Sequence, residues 1–544
     1  VRAEEKGQRA RTGLSRWALG ALSGALAAFA ALAVAELVAA AVRPQSSPVV
    51  AVGGASIDAT PAPVKDWAIR HFGTNDKLVL ELGILVVLAV AAPALGVLAV
   101  RFRRVGTAGV LLFGVVGAAA AVGRPDSVGL TDMLPSLVGA MAGALLLYVL
   151  VGRLTAVRPS PASPPPASAT EGAGDGFAAR GEWDRRGFVL AAASAAAASA
   201  AVGVVGRSLN ASRGQGAVAS RARVVLPAPR SPAQPVPGGA GLRVPGISPF
   251  VTPNGDFYRV DTALVVPKVD ATGWRLRIHG KGVRRPAAYS FDDLLHRELI
   301  ERDITLTCVS NEVGGPYVGN ARWTGVRLAD LLAECGVRPP SRGGPADQLV
   351  ARSVDGMTIG SPVEELMDGR DAMLALGMNG EPLPLAHGFP VRMVVPGLYG
   401  FVSACKWIED IELTTFDSYD PYWVKRGWAR RAPVKTESRI DTPKPFARPK
   451  AGTVMIAGVA WAQHRGIDKV EVRVDDGPWQ KAHLAAEDTR DTWRQWSLPW
   501  KATRGGHTLT VRATDRTGAV QTARRTRTIP DGADGRHSVV VTVD

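Results

Sequence analysis

The stretch ERDITLTCVSNEVGGPYVGNARWTGVRLADLL, Glu301 to Leu332, decides how the chain is read. An alternating run, ITLT, delivers Cys308 to the start of a loop rich in glycine, with Gly314, Gly315 and Gly319. Free cysteine is among the most buried residue types, so plain packing is the first reading of any lone cysteine. Cys335, near a predicted helix end, and Cys405, in VSACKWI, take that reading. Cys308 instead stands where strand gives way to loop, and the glycines there allow another group to approach closely. A cysteine nucleophile wants a histidine base within reach, and the nearest in sequence is His296, on a predicted helix. A lone thiolate on a soft, high-valent metal needs a cofactor to supply the remaining ligands. Filler, nucleophile and ligand all stay open on these residues alone.

At 544 residues the chain is too long for one domain. Hydrophobic residues are 46% and charged residues 21%, unevenly spread: Ala, Val, Leu and Gly dominate the first part, and ordinary globular sequence follows. The formal charge of +15 does not signal nucleic acid. Lys and Arg cluster beside apolar runs and are dispersed elsewhere, without a basic helix or an aromatic platform. Three cysteines with no close pair exclude a zinc ribbon, a thioredoxin-type pair, a c-type haem attachment and a disulfide framework.

Four apolar segments are long enough for a bilayer: Trp17–Val42, Leu78–Val100, Val105–Val122 and Met133–Val151. A fifth, Gly187–Val205, is mostly alanine and follows DRRGFVL, which reads equally as a twin-arginine export signal or as two stop-transfer arginines. Basic residues set the orientation. Lys6, Arg9, Arg11 and Arg16, then Arg101, Arg103 and Arg104, then Arg153, Arg158, Arg185 and Arg186 fall on one side if the chain crosses five times. That places the N-terminus in the cytoplasm and everything after residue 210 or so outside the cell membrane. Some positive charge between Arg43 and Lys77 runs against the rule. None of the eight histidines lies in a span, so paired-histidine haem ligation there is excluded. Glu36 and Glu81 are the acids well inside spans, Glu36 marking a polar contact between helices and Glu81 read as a snorkelling charge.

Beyond the linker LPAPRSPAQPVPGGAG, Leu226 to Gly241, short strands and helices mix. WRLRIHG, Trp274–Gly280, alternates as a strand does; SFDDLLHREL, Ser290–Leu299, is a helix behind a capping serine; TGVRLADLLAECG, Thr324–Gly336, is an amphipathic helix closed by glycine. After RIDTPKPFARPK the runs KVEVRVDDGPWQKAHL, TWRQWSLPW and HTLTVRATDRTGAVQT predict strands joined by Asp-Gly and Thr-Gly turns, an all-β sandwich of immunoglobulin type.

Several motifs in order now resemble the sulfite oxidase family of molybdenum enzymes. They are FYRVD (Phe257–Asp261), TLTCVSN with GNARWTGVRL around Cys308, MNGEPLPLAHGFPVRMVVPGLYGFVSACKWI (Met378–Ile408), and KTESRIDTP leading into the sandwich. The match covers roughly residues 244–540; the membrane half resembles the extension of membrane-anchored bacterial members. The resemblance implies a multi-domain molecule: an α-helical transmembrane region, an α+β molybdopterin domain and the all-β sandwich. Its divisions are a cytoplasmic tail (1–16), four transmembrane helices (17–152), a Pro/Ser-rich cytoplasmic linker (153–183), a fifth helix or twin-arginine-like signal anchor (184–209), a linker (210–243), the catalytic domain (244–435) and an immunoglobulin-like dimerisation domain (436–544).

By resemblance Cys308 is the protein thiolate on molybdenum, deprotonated by the metal itself, and Tyr422 is the active-site tyrosine. His387 and Arg392 match positions holding the pterin and its phosphate, to which arginine makes charge-assisted pairs. Lys406 matches a further cofactor contact with Ser403 beside it. Tyr258, with Arg259 and Asp261, matches a clamp on the pterin, and Asp355 a cofactor-binding acid. The implied cofactor is a bis-oxo molybdenum on a single molybdopterin, with no haem or iron–sulfur cluster in this chain. Electrons then go to a separate cytochrome or quinone-linked partner, and the sandwich implies a homodimer.

The match departs where the family carries substrate-binding arginines. An Arg-Asn-His run is here Val260, Asp261, Thr262, and a paired arginine after the metal cysteine is replaced by Glu312 and Val313. A nearby carboxylate repels a dianion by about 1–4 kcal/mol across effective dielectrics of ~80 to ~20, with Arg259 and Arg322 as candidate replacements. The expected function is oxygen-atom transfer to or from a small sulfur compound such as sulfite. Reduction of a methionine-sulfoxide-type substrate is the alternative, and a non-enzymatic, membrane-tethered binding protein is the reading from outside enzymology.

Overall fold

The computed structural model describes residues 2–61, 64, 67–68, 71–72, 76–124, 127, 129–155 and 185–544, so most of the linker expected at 153–183 lies outside the described residues. The chain divides between Arg213 and Gly214 into two compact units.

The first unit is helical: α1 (Arg2–Ala41), α2 (Pro48–Ala59), α3 (Asp76–Arg101), α4 (Arg103–Val122), α5 (Leu134–Thr155) and the start of α6 (Arg185–Arg223). Among the described residues five stretches are long and apolar enough to cross a membrane: Ser15–Ala41, Lys77–Arg101, Arg103–Val122, Leu130–Thr155 and Arg186–Arg223. They coincide with the five apolar runs of the sequence. Helix α2, at 12 residues, is too short to span and occupies the expected connecting loop. Helices α1, α3 and α5 meet at Ala27, Ala99, Leu147 and Val151; the two alanines let the backbones of α1 and α3 approach closely. Glu36 accepts the Ser47 hydroxyl at 2.5 Å, the polar contact its position called for.

One boundary moves. Helix α6 continues to Arg223, so the linker expected at 210–243 begins as helix. The segment NASRGQGAVASRAR holds no proline, and the first one after it is Pro227, so nothing forbids the backbone hydrogen bonds of a helix until then.

The second unit carries four sheets. Strands β1 (Arg275–Gly280), β2 (Ala287–Ser290), β5 (Gln348–Ser353), β6 (Thr358–Pro362) and β10 (Ile408–Thr414) form one, in the order β2-β1-β10-β5-β6. Strands β3 (Leu299–Thr307), β4 (Val318–Arg327), β7 (Met373–Met378) and β8 (Glu381–Pro382) form another in that order, and β9 (Arg392–Val394) pairs with β7. Two predicted helices shrink. The first is α7, Phe291–Leu295, with a capping box between Ser290 and Asp293. Arg297 and Glu298 turn the chain, and β3 takes over at Leu299. The second is α8, Leu328–Glu334. Thr324–Arg327 finishes β4 instead, because Trp323, Thr324 and Val326 are good strand formers and pair with β3 on one side and β7 on the other.

From Glu437 onward two antiparallel sheets face each other. One runs β11-β12-β16-β15, from β11 (Glu437–Thr442), β12 (Gly452–Trp461), β16 (Arg494–Ala502) and β15 (His483–Leu484). The other runs β14-β13-β17-β18, from β14 (Gln480–Lys481), β13 (Ile467–Val474), β17 (Gly505–Asp515) and β18 (Ser538–Val543). Ile456, Trp496, Val470, Val511 and Val541 fill the space between them. The first sheet also turns Val459 and Trp461 into the core of the preceding domain, joined there by Trp493 just before β16.

Candidate active site

Strand β3 explains why its sequence alternates. Ile304 and Leu306 enter the apolar core, while Thr305 and Thr307 face the C-terminal sheets. Thr305 Oγ1 accepts from Trp493 N at 2.7 Å and donates to Asn320 Oδ1 at 2.9 Å. Gln463 Nε2 donates to Thr305 O at 3.0 Å and to Thr307 Oγ1 at 2.9 Å. Cys308 follows directly, a buried residue on a strand end held from both sides.

The loop after Cys308 is closed by its own backbone. Cys308 N donates to Tyr317 O at 2.9 Å, Asn311 N donates to Cys308 O at 3.0 Å, and Tyr317 N donates to Asn311 Oδ1 at 2.8 Å. The Cys308 sulfur accepts from Ser310 N at 3.4 Å. Burial pushes its thiol up, while the Ser310 hydrogen bonds and the charge of Lys406 pull the other way. The loop glycines do admit close neighbours, but these are protein side chains. A Cβ on Gly319 would lie 2.8 Å from the Phe257 ring, and one on Gly314, at φ +81°, would run into the His537 ring.

Four basic positions gather together, and one of them, Lys406, acts on this sulfur by its charge. His387 ends a short turn and is buried; its Nε2 lies 3.1 Å from Asn254 O. A carbonyl only accepts, so Nε2 carries the proton and Nδ1 is left as the acceptor. Burial, then Arg392, push His387 down to about 4, against the Asn254 bond, with Lys406 and Arg259 adding to the shift. Arg392 opens β9 with its guanidinium 4.9 Å from the Trp323 ring centre and its Nη1 donating to His387 O at 3.2 Å. Burial lowers it to about 10. Its Nε is buried and has no partner among the described residues. Lys406 Nζ donates to Asp261 Oδ2 at 2.7 Å and sits 4.7 Å from the Trp407 ring. Arg259 Nε donates to the same carboxylate oxygen at 2.9 Å. Gly388, at φ +110°, makes the approach of two of these cations feasible: a Cβ there would be 3.0 Å from Arg392 Cβ and 3.1 Å from Lys406 Cα.

Tyr258 completes the cluster, stacked on Phe257 at 5.1 Å and lying 6.3 Å from the Tyr317 ring. Burial raises its phenol far above the usual range, Cys308 adds to this, and Arg392 opposes it. It is therefore a donor at neutral pH.

The remaining expected positions separate from this group in role. Asp261 is a counter-ion to two cations, which suits positioning rather than contact with a phosphate. Ser403 is fully buried and shares its one hydroxyl proton between Leu398 O and Tyr399 O, both at 3.0 Å. Asp355 lies in the turn between β5 and β6, accepts from Met357 N at 3.3 Å, and adds to the burial that raises the Cys405 thiol. Tyr422 is buried beside β6, its N donating to Thr358 Oγ1 at 3.1 Å, with the Arg426 guanidinium 3.5 Å from its ring centre. His296, the nearest histidine in sequence, is exposed just past the end of α7 and its Nδ1 lies 2.8 Å from Asp292 O, which does not favour a nucleophile paired with it. Arg322 is forked on Asp303 at 2.9 and 2.6 Å, so it is occupied away from Cys308. Glu312 is exposed, which weakens the repulsion its charge exerts. Sequence reading missed Asn254, Trp323 and Trp407; the Asn-Gly turn before FYRVD was the one local signal available.

The residues fit an anionic cofactor: a buried thiol, a buried guanidinium with a spare donor, a second cation beside it, and a neutral histidine with a free acceptor. No group of three or more His, Cys, Asp or Glu side chains able to hold a metal occurs among the described residues, so a metal here would rely on ligands from a cofactor. The oxidoreductase molybdopterin binding domain family matches residues 263–423. An uncharacterized oxidoreductase of Bacillus subtilis (strain 168), YuiH, is 32% identical over 162 residues, 30% of this chain and 75% of that one. Mitochondrial sulfite oxidase of Rattus norvegicus is 30% identical over 290 residues, covering 46% of this chain and 53% of the relative.

The chain belongs to the sulfite oxidase family of molybdopterin oxidoreductases.

This family member spans about half the length of the curated sulfite oxidases it matches. Among solved structures it is similar to the sulfane dehydrogenase SoxCD of Paracoccus pantotrophus, 25% identical over 55% of this chain and 84% of that one, with a TM-score of 0.47. The family match takes in Cys308, Asp355, His387, Arg392, Ser403, Lys406 and Tyr422 and begins just after Tyr258, Arg259 and Asp261.

Proposed function

We propose that this chain is a membrane-anchored molybdenum oxidoreductase acting on a small sulfur compound at the outer membrane face. The observation that carries the reading is the buried Cys308 sulfur beside Tyr258 and Lys406, with Arg392 acting on Tyr258 and His387 and its Nε unspent. Cys308 would hold molybdenum, Arg392 and Lys406 the pterin phosphate, and His387 Nδ1 and Tyr258 the pterin edge. When bound, the molybdenum–pterin group supplies oxygen-atom exchange with sulfur. The chain's own part is to exclude water with Phe257, Trp323 and Tyr258, and to hold the anion with charge that Asp261 keeps in place. Oxidation of sulfite takes its oxygen from water and releases two electrons and two protons, so a separate cytochrome or quinone-linked protein must accept the electrons.

Sulfoxide reduction is the second reading, favoured by one observation. Of the arginines that could replace the missing dianion ligands, Arg322 is held by Asp303 and Arg259 by Asp261. A neutral substrate needs neither. Family membership sets aside the inert tether. The C-terminal pair of sheets we take as an immunoglobulin-like dimerisation domain, an idea that a monomer by light scattering would end.

Steady-state turnover of sulfite with an artificial acceptor, run beside methionine sulfoxide with an artificial donor, separates the two directions. Cys308→Ala is expected to abolish whichever activity appears, together with the metal–sulfur signal in X-ray absorption. Turnover that survives the substitution refutes the ligand assignment.

A further inference from the structure

The outward face of the sheet β14-β13-β17-β18 carries an unbalanced charge. Trp479, half-buried at the end of the β13–β14 turn, has three guanidiniums over its ring: Arg473 at 5.2 Å, Arg512 at 4.2 Å and Arg536 at 5.1 Å. Glu471 pairs with Arg512 at 2.9 Å and with Lys469 at 3.3 Å. Lys481 stands opposite Glu471 on the neighbouring strand. One carboxylate thus answers five cations in this group. The Nε atoms of Arg473 and Arg536 are buried and have no partner among the described residues.

The register makes the crowding costly. Thr510 pairs with Ser538, and Val511 N donates to His537 O, so the same ladder brings Arg536 alongside Arg512. Like charges set opposite each other across strands destabilise a sheet. Burial, with Arg512 and Arg473 adding to it, holds the Arg536 guanidinium below its ordinary range. Stacking on indole offsets part of this but leaves the two Nε donors unsatisfied. Carboxylates arriving from outside would answer the excess charge, and the outer edges of arginine forks match carboxylates two bonds at a time.

We infer that this arginine–tryptophan face is the docking surface for an acidic protein, the electron-accepting partner of the proposed reaction. The location suits that partner: His537, next to Arg536 in the chain, packs against Gly314 in the loop that starts at Cys308. Tryptophan ringed by arginine is also the composition of residues that dominate protein interfaces. A membrane surface is the poorer match, because an interfacial tryptophan projects outward to reach the headgroups, whereas Trp479 lies under its arginines.

This inference rests on the redox reading for the partner's identity, and its test is kept separable. The full chain in detergent is mixed with cytochrome c made acidic by succinylation, and affinity is measured at about 50 mM and about 500 mM salt. Arg512→Gln with Arg536→Gln is expected to weaken binding about 10-fold or more at low salt, while the charge-matched pair Arg338→Gln with Arg342→Gln, exposed elsewhere, stays within about 2-fold. Turnover with a small artificial acceptor is expected to be unchanged in both. Equal weakening by the two pairs overturns the inference, because net charge alone then explains binding. A wild-type dimer that the patch pair converts to a monomer also overturns it, assigning the face to a second copy. So does patch-dependent binding to vesicles containing anionic phospholipid without binding to the acidic cytochrome. Absent turnover with the small acceptor in every form removes the redox reading while leaving the binding result to decide the surface.

Discussion

Arg392 carries more of the site than its place in a three-residue strand suggests. A guanidinium this buried is tolerable only with a ring to lie on and acceptors to meet, and it has Trp323 and one carbonyl. Arg392→Lys keeps the charge but loses the fork. We expect molybdopterin content after purification to fall by about 10-fold or more, in line with the loss of one or two charge-assisted hydrogen bonds; undiminished content would mean that the fork meets no phosphate. The two buried histidines give a pH signature. His387 and His537 are both held down to about 4 by burial and neighbouring arginines, against an ordinary 6.5. The unfolded chain takes up these protons below about pH 6.5 and the folded chain resists until about pH 4, so stability is whole above that window and falls within it. His537→Gln should flatten the drop in melting temperature between pH 6.5 and pH 4; a slope equal to the wild type would show that His537 is not buried neutral. The residues that a motif can hold in a line, Cys308, His387, Arg392 and Lys406, were legible in the sequence. Their supports Asn254 and Trp323 were not, because each reaches its partner from a distant part of the chain, and Trp407, though next to Lys406, is fixed by a hydrogen bond to the distant Leu385 O.

Strand β3 is where two domains share responsibility for one sulfur atom. Its Ile and Leu belong to the catalytic core, and its threonines are held by Gln463 and by the backbone of Trp493. The alternation of ITLT therefore reads correctly as two faces, but both are buried, and nothing local says that the second face meets another domain. Gln463→Leu would leave Thr305 O and Thr307 Oγ1 without this donor in a dry interface, at a cost of about 1–3 kcal/mol. Denaturant unfolding should register that loss, and molybdenum content should fall with it; unchanged stability would mean that the C-terminal sheets do not hold β3. The same tertiary pairing explains where the secondary-structure reading slipped. Thr324–Arg327 fits an amphipathic helix by spacing, yet lies between β3 and β7 and extends as strand. His296 to Glu298 fits a helix end, but the hydrogen-bond demand of β3 claims the chain at Leu299.

Five long apolar helices were the most legible feature of the molecule, since length and hydropathy alone define them. Their number matters more than their packing, because an odd count sends the two ends of a chain to opposite faces and an even count does not. Helix α2 is apolar but too short to change that parity. On the proposed orientation Arg101, Arg103 and Arg104 are inside and the sulfur chemistry outside. The chain lends itself to a direct test, because Cys308, Cys335 and Cys405 are all buried and background labelling is low. A membrane-impermeant maleimide applied to intact spheroplasts should label Asp544→Cys and leave Arg101→Cys untouched until lysis. The reverse pattern would put the molybdenum domain in the cytoplasm, and the electron partner with it. Labelling of both positions before lysis would mean that the helix count is even.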